Sequence, residues 1–140
     1  MSRTIDFQRL TERLRAEPAI RFALVFGSGS SGRLPTDRSD LDLALYLDHE
    51  PDLEERLRLI GLAQDVAARD DVDVVFLNAS RDPILRRETL KGRLLLCRDT
   101  DLYQEFFSLA DRQGRDEEER IKRAWALRSE LASKMEAGSG

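Results

Sequence analysis

The chain has 140 residues, 41% of them hydrophobic and 36% charged, with a net charge of -4. That length fits one domain, and a small acidic excess argues against a basic nucleic-acid binder. A lone cysteine, Cys97, excludes a disulfide framework and a cysteine-based metal knuckle.

The chain opens on "TIDFQRLTERLRAEP", where Phe7, Leu10 and Leu14 form a helical stripe that Pro18 closes. "AIRFALVFG" is an almost unbroken apolar run ending at glycine, which predicts a buried strand over about residues 19–26. Residues 27–39 are polar and read as a loop or a short helical turn. In "DLDLALYLD", Leu41, Leu43, Leu45 and Leu47 share one face, with Asp40, Asp42, Ala44 and Tyr46 on the other. This alternation predicts a strand with one buried face and a polar start on the opposite face. A helix follows, with Pro51 in its first turn and a stripe of Leu53, Leu57, Ile60, Ala63 and Ala67. "DVDVVFLN" is a third strand. "DPILRRETLKG" is a short helix with an Asp cap and a closing Gly92, and "RLLLC" is a fourth strand that buries Cys97. From Thr100 to about Lys134 the pattern is helical, with a break expected at Gly114. The expected fold is a small α/β (α+β) domain. A mixed sheet of about four strands is flanked by helices, with a core over about 1–98 and a helical segment over about 99–136. Neither a leader segment nor an apolar run of about 18 residues is present, so a soluble protein in a reducing cytoplasm is expected, away from membranes.

Gly27, Gly29 and Gly32 spell G-x-G-x-x-G, the spacing of a dinucleotide-binding turn. That turn works only where it opens a crossover helix. Twelve residues separate Gly27 from Asp40, the first five are the turn, and "RLPTDRS" carries a proline and no apolar stripe. There is no room for the helix. A phosphate loop of the G-x-x-x-x-G-K-[ST] kind fails too, because Arg33 and Leu34 stand where Lys and Ser/Thr belong.

A different phosphate chemistry fits better. Residues two apart on a strand point the same way, so Asp40 and Asp42 present two carboxylates side by side. Such a pair repels unless a cation sits between them, and hard oxygen donors with substrate phosphates suit Mg²⁺. Gly27 lets the backbone approach a phosphate closely, and Ser28 offers an N–H and a hydroxyl. Asp73 opens the third strand much as the first two acids open the second. If those strands are neighbours, Asp73 is either a third metal ligand or the base for an attacking hydroxyl. Each piece alone has a plainer account: a strand-edge charge for Asp73, a flexible loop for Gly-Ser. The joint order is far more specific.

That joint order, Gly27-Ser28, eleven residues, Asp40-x-Asp42, then Asp73 on a later strand, resembles the nucleotidyltransferase superfamily that includes DNA polymerase β. The small size and the flow from "VFGS" to "LRRETLKGRLLLCRD" are similar to its minimal nucleotidyltransferase (MNT) group. The resemblance implies an antitoxin that transfers AMP from ATP to a tyrosine of a partner HEPN-domain RNase toxin in a hetero-oligomeric complex, with no nucleic-acid contact of its own. By the same resemblance Gly27 and Ser28 bind the nucleotide, and Asp40, Asp42 and Asp73 hold Mg²⁺ and catalyse. A departure is "GSGSSG", where the family often has Ala-Arg at Ser30 and Ser31. The rival readings are a small-molecule acceptor, and an antitoxin that blocks the toxin by contact alone.

Three further features stand outside this pattern. His49, the only histidine, is flanked by Asp48 and Glu50 and reads as an exposed turn residue. Tyr46 shares the acid face and either packs or lines the nucleotide pocket. Trp125, Leu127 and Leu131, with Phe106 and Phe107, are either helix-packing residues or part of a partner interface.

Overall fold

The computed structural model describes residues 3–4, 6–27, 33–34, 41–67 and 72–138. The elements in order are β1 (Arg3–Thr4), α1 (Phe7–Arg15), β2 (Ile20–Phe26), β3 (Arg33–Leu34), β4 (Leu41–Leu47), α2 (Leu53–Ala67), β5 (Val72–Phe76), α3 (Pro83–Thr89), β6 (Arg93–Cys97) and α4 (Thr100–Gly138). Four strands form a mixed sheet in the order β5-β4-β2-β6, with β4 and β5 parallel and the other neighbours antiparallel. β1 and β3 pair as a separate antiparallel ribbon. The sequence marks neither, because a two-residue pairing between distant segments leaves no periodic signal. α1 starts at Phe7, capped by Asp6, whose carboxylate accepts a hydrogen bond from the Arg9 N–H at 3.0 Å.

The sheet is covered on both faces. Leu41, Leu43, Leu45 and Leu47 of β4 pack with Leu10 and Leu14 of α1 and Leu59 and Ala63 of α2. On the other face Phe22, Leu24 and Ala44 pack against Leu90, Phe106 and Ala110. β4 therefore has two buried faces rather than the single one its alternation predicts. Ala44 is fully buried, and Tyr46 stacks on Phe22 with ring centroids 4.9 Å apart. Phe106 meets the Tyr46 ring edge-on at 5.4 Å. A strand so placed needs only its polar start to remain accessible, and that start is where Asp42 lies.

Two helices differ from expectation. α2 begins at Leu53, after Pro51, and buries Leu59, Ala63 and Val66, while Leu53 and Leu57 are exposed. Two overlapping apolar stripes run along this helix, and the sheet selects the one that can also reach α1 and β5. α4 is one continuous helix of 39 residues, about 58 Å long at 1.5 Å per residue, and it runs straight through Gly114. A glycine costs a helix interior about 1 kcal/mol, which is why a break is expected there. Here it serves a close approach. A Cβ at 114 would lie 2.6 Å from Arg87 Cδ and 3.0 Å from the Pro83 carbonyl oxygen. The gap lets α3 press onto α4, and Arg87 then reaches Glu118 at 2.6 Å and Asp111 at 3.3 Å.

The Asp82 cap and Pro83 start α3 as read from the sequence. The Asp82 carboxylate accepts hydrogen bonds from the N–H groups of Ile84 at 3.0 Å and Leu85 at 3.3 Å. Asp82→Ala leaves those donors without their cap, so a loss of about 1 kcal/mol is expected in urea unfolding. No helix among the described residues is long and apolar enough to cross a membrane.

Candidate active site

The site grows from strand register. β4 lies between β2 and β5, and Asp42 stands opposite Phe26 on β2 and opposite Asp73 on β5. Paired residues of parallel strands project the same way across a gap of about 4.8 Å. Asp42 shares its face with Ala44 and Tyr46, and Asp73 shares its face with Val75, all in the layer under α3 and α4. The two carboxylates are thus side by side at the starts of β4 and β5. Asp42 is half-buried and Asp73 is exposed.

Gly27 completes the floor. It follows the last residue of β2 with a φ of 74°, in the left-handed region that favours glycine. A Cβ there would lie 2.3 Å from the Asp42 Oδ2 atom. The Asp42 carboxylate therefore rests directly over the Gly27 backbone, and the missing side chain makes the space for it. Three of the five residues singled out from the sequence, Gly27, Asp42 and Asp73, come together. Ser28 and Asp40 lie outside the described residues.

Among the described residues, no group of three or more His, Cys, Asp or Glu side chains comes together. The donor set still suits a hard cation. Two carboxylates on adjacent strands, with no thiolate or imidazole beside them, match the one or two carboxylates that Mg²⁺ takes alongside substrate phosphates. Asp40, two residues before Asp42, is the acid that would extend this set.

The other candidates sit elsewhere. Tyr46 lies four residues along β4 from Asp42, about 13 Å away. There it packs on Phe22 and borders a groove of about 380 Å³ with Asn78, Arg81, Arg86 and Glu105. It does not line the acid pair. Arg86, which the sequence reading passed over, is structural. Its guanidinium donates to the carbonyl oxygens of Ser80 at 2.7 Å and Leu77 at 2.9 Å and lies over the Phe106 ring. Burial pulls its pKa below the usual arginine value.

His49 is also remote from the acids. Its Nδ1 is 2.6 Å from Asp48 Oδ1 and its Nε2 is 2.6 Å from Glu55 Oε1, a clasp between the end of β4 and the first turn of α2. The Asp48 hydrogen bond, then that to Glu55, raises the His49 pKa above 6.5. A histidine whose folded pKa exceeds its unfolded one adds stability that is complete below about pH 6.5 and disappears as pH rises through the raised value. His49→Gln is therefore expected to narrow the difference in melting temperature between about pH 5.5 and about pH 8.5. Because the clasp is exposed, the change is small.

The family model described as polymerase beta, nucleotidyltransferase matches residues 8–101, which include Gly27, Asp42 and Asp73. The chain belongs to this nucleotidyltransferase family. No curated protein matches it by sequence. Among solved structures, this nucleotidyltransferase is similar to a chain of a mutant toxin–antitoxin MntA-HpeT, with a TM-score of 0.65 at 18% identity. That match covers 97% of this chain and 100% of the other. A chain of a toxin–antitoxin crystallised with AMP-PNP matches with a TM-score of 0.63 at 19% identity, again over 97% and 100%. A chain of the complex between tri-AMPylated Shewanella oneidensis HEPN toxin and MNT antitoxin matches with a TM-score of 0.58 at 17% identity, over 96% of each. At these identities the likeness establishes a shared fold.

Proposed function

We propose that this nucleotidyltransferase is the antitoxin of a toxin–antitoxin pair, and that it silences a HEPN-domain toxin by transferring AMP from ATP to one of its tyrosines. The observation that carries the reading is the register of Asp42 against Asp73 above the Gly27 turn, in a chain of the nucleotidyltransferase family. Support for the acceptor comes from the fold shared with an antitoxin complex whose HEPN toxin is AMPylated.

In this reading Asp40 and Asp42 hold Mg²⁺, and Gly27 and Ser28 receive the triphosphate. The cation, when bound, neutralises charge on the phosphates. Asp73, the more exposed acid, accepts the proton of the tyrosine hydroxyl. The phenolate oxygen bonds to the α-phosphorus, the bond from that phosphorus to the bridging oxygen breaks, and pyrophosphate leaves. The chemistry is mostly positioning and charge neutralisation, so a small domain suffices.

Intact-mass spectrometry of the partner HEPN-domain toxin tests the reading, after incubation with the nucleotidyltransferase, ATP and Mg²⁺. A gain of whole AMP units on tyrosine is expected. A stable complex with no gain in mass would overturn transfer and leave an antitoxin that acts by contact.

A further inference from the structure

The body of the protein uses only the first half of α4. Phe106, Ala110 and Gly114 are buried there, whereas every residue from 122 to 138 is exposed. That free half carries large apolar side chains: Trp125 is 61% exposed, Leu127 57%, Leu131 52% and Met135 75%. At 100° per residue Trp125, Leu131 and Met135 gather on one arc of the helix with Ile121, Ala124 and Ala132, whereas Leu127 lies about 100° from the centre of that arc.

The spacing within the arc is symmetric. Ile121, Ala124 and Trp125 stand seven, four and three residues before Arg128, and Leu131, Ala132 and Met135 stand three, four and seven after it. The steps of three and four are those of a coiled-coil seam. A helix laid antiparallel on an identical helix, with the two-fold axis at Arg128, sets Ile121 against Met135 of the second copy. The same axis sets Ala124 against Ala132, and Trp125 against Leu131. Eight residues out on either side are Arg120 and Glu136, so the same pairing brings opposite charges together twice. A parallel pairing would set Arg120 against Arg120 and Glu136 against Glu136. A surface for an unlike partner has no need of this symmetry.

We propose that two copies of this chain dimerise through the free half of α4, as an antiparallel helix pair centred on Arg128. Trp125, Leu131 and Met135 together expose roughly 400 Å² per chain, on side-chain areas of up to about 250 Å². Two copies thus bring roughly 800 Å² together, and Ile121, the alanines and the arginine stems carry the total to about the 1,000 Å² that a specific interface must clear. Arg128 is the discordant residue at the axis. Its guanidinium lies over its own Trp125 ring, 5.3 Å from the centroid. A polar residue at the centre of an apolar seam fixes register and lowers stability.

Sedimentation equilibrium of the full chain from about 1 to about 100 μM tests this; a reversible monomer–dimer equilibrium is expected in that range. Leu131→Glu lies on the exposed arc and leaves the fold intact. It should raise the dimer dissociation constant at least about tenfold, and Arg128→Leu should lower it by a similar factor. In a Cys97→Ser background, chains carrying Ile121→Cys should form a disulfide with chains carrying Met135→Cys, and neither variant should cross-link with itself. A chain that stays monomeric at about 100 μM, a dimer indifferent to Leu131→Glu, or self-cross-linking of the single variants would overturn the proposal. So would protection of this arc from hydrogen exchange only when the HEPN-domain protein is added, which would give the face to that partner.

Discussion

Replacing Asp73 by asparagine is expected to lower the rate of AMP transfer by about 10²–10⁴ without lowering the melting temperature. Asp73 is exposed, so its carboxylate supports no buried packing, and its removal relieves repulsion from the neighbouring Asp42. Asp42→Asn should reduce the rate by a comparable factor, because in the proposed mechanism the two acids act on one reacting centre. The double substitution should then cost little more than either alone, since residues that act as a unit are not additive. Asp73→Glu is the sharper probe. It keeps the charge and moves it by one methylene, and a misplacement of about 1 Å can itself cost about 10²-fold. Steady-state rates of AMP incorporation, paired with thermal melts, check all four variants. An Asp73→Asn protein that transfers AMP at the wild-type rate would sink the role given to that strand.

The four long strands could be found in the sequence because each is a dense apolar run closed by polar residues or glycine. Ile20–Phe26, Leu41–Leu47, Val72–Phe76 and Arg93–Cys97 all fall within the stretches that stand out by eye. What the sequence could not show was adjacency. That Asp73 would help Asp42 depended on β5 lying beside β4, and strand neighbours are chosen by long-range packing. The same limit explains α2, where two apolar stripes were available and only the tertiary contact chose Leu59, Ala63 and Val66. It also explains Gly114. Local propensity argued for a break, but the close approach of Arg87 and Pro83 gives the glycine a packing role inside an unbroken helix. Trp125, Leu127 and Leu131 had two readings, packing or interface. Their exposure removes packing within the described residues, whereas Phe106, named with them, is buried. Of the residues singled out, Gly27, Asp42 and Asp73 lie together, Ser28 and Asp40 lie outside the described residues, and the roles of all five rest on the resemblance.

The Gly27 turn supplies the second large effect. Gly27→Ala is expected to lower stability by about 1–2 kcal/mol, because an L-residue at a φ of 74° sets its Cβ against its own carbonyl. The loss of activity should be larger than that figure suggests. The new Cβ would fall 2.3 Å from Asp42 Oδ2, far inside contact distance, so the carboxylate must swing off the turn. In the proposed mechanism a displaced Asp42 is a misplaced cation ligand, and transfer should drop by about 10²-fold. Gly61→Ala is the matched control. A Cβ there meets nothing within 4 Å, and the position is inside α2. It should gain up to about 1 kcal/mol from helix propensity and leave transfer unchanged. Isothermal titration with Mg²⁺ and a non-hydrolysable ATP analogue separates the causes. If Gly27→Ala binds both as the wild type does and still fails to transfer, the turn acts on the reacting geometry. If binding of the nucleotide is lost while Asp73→Asn retains it, the turn is a phosphate seat.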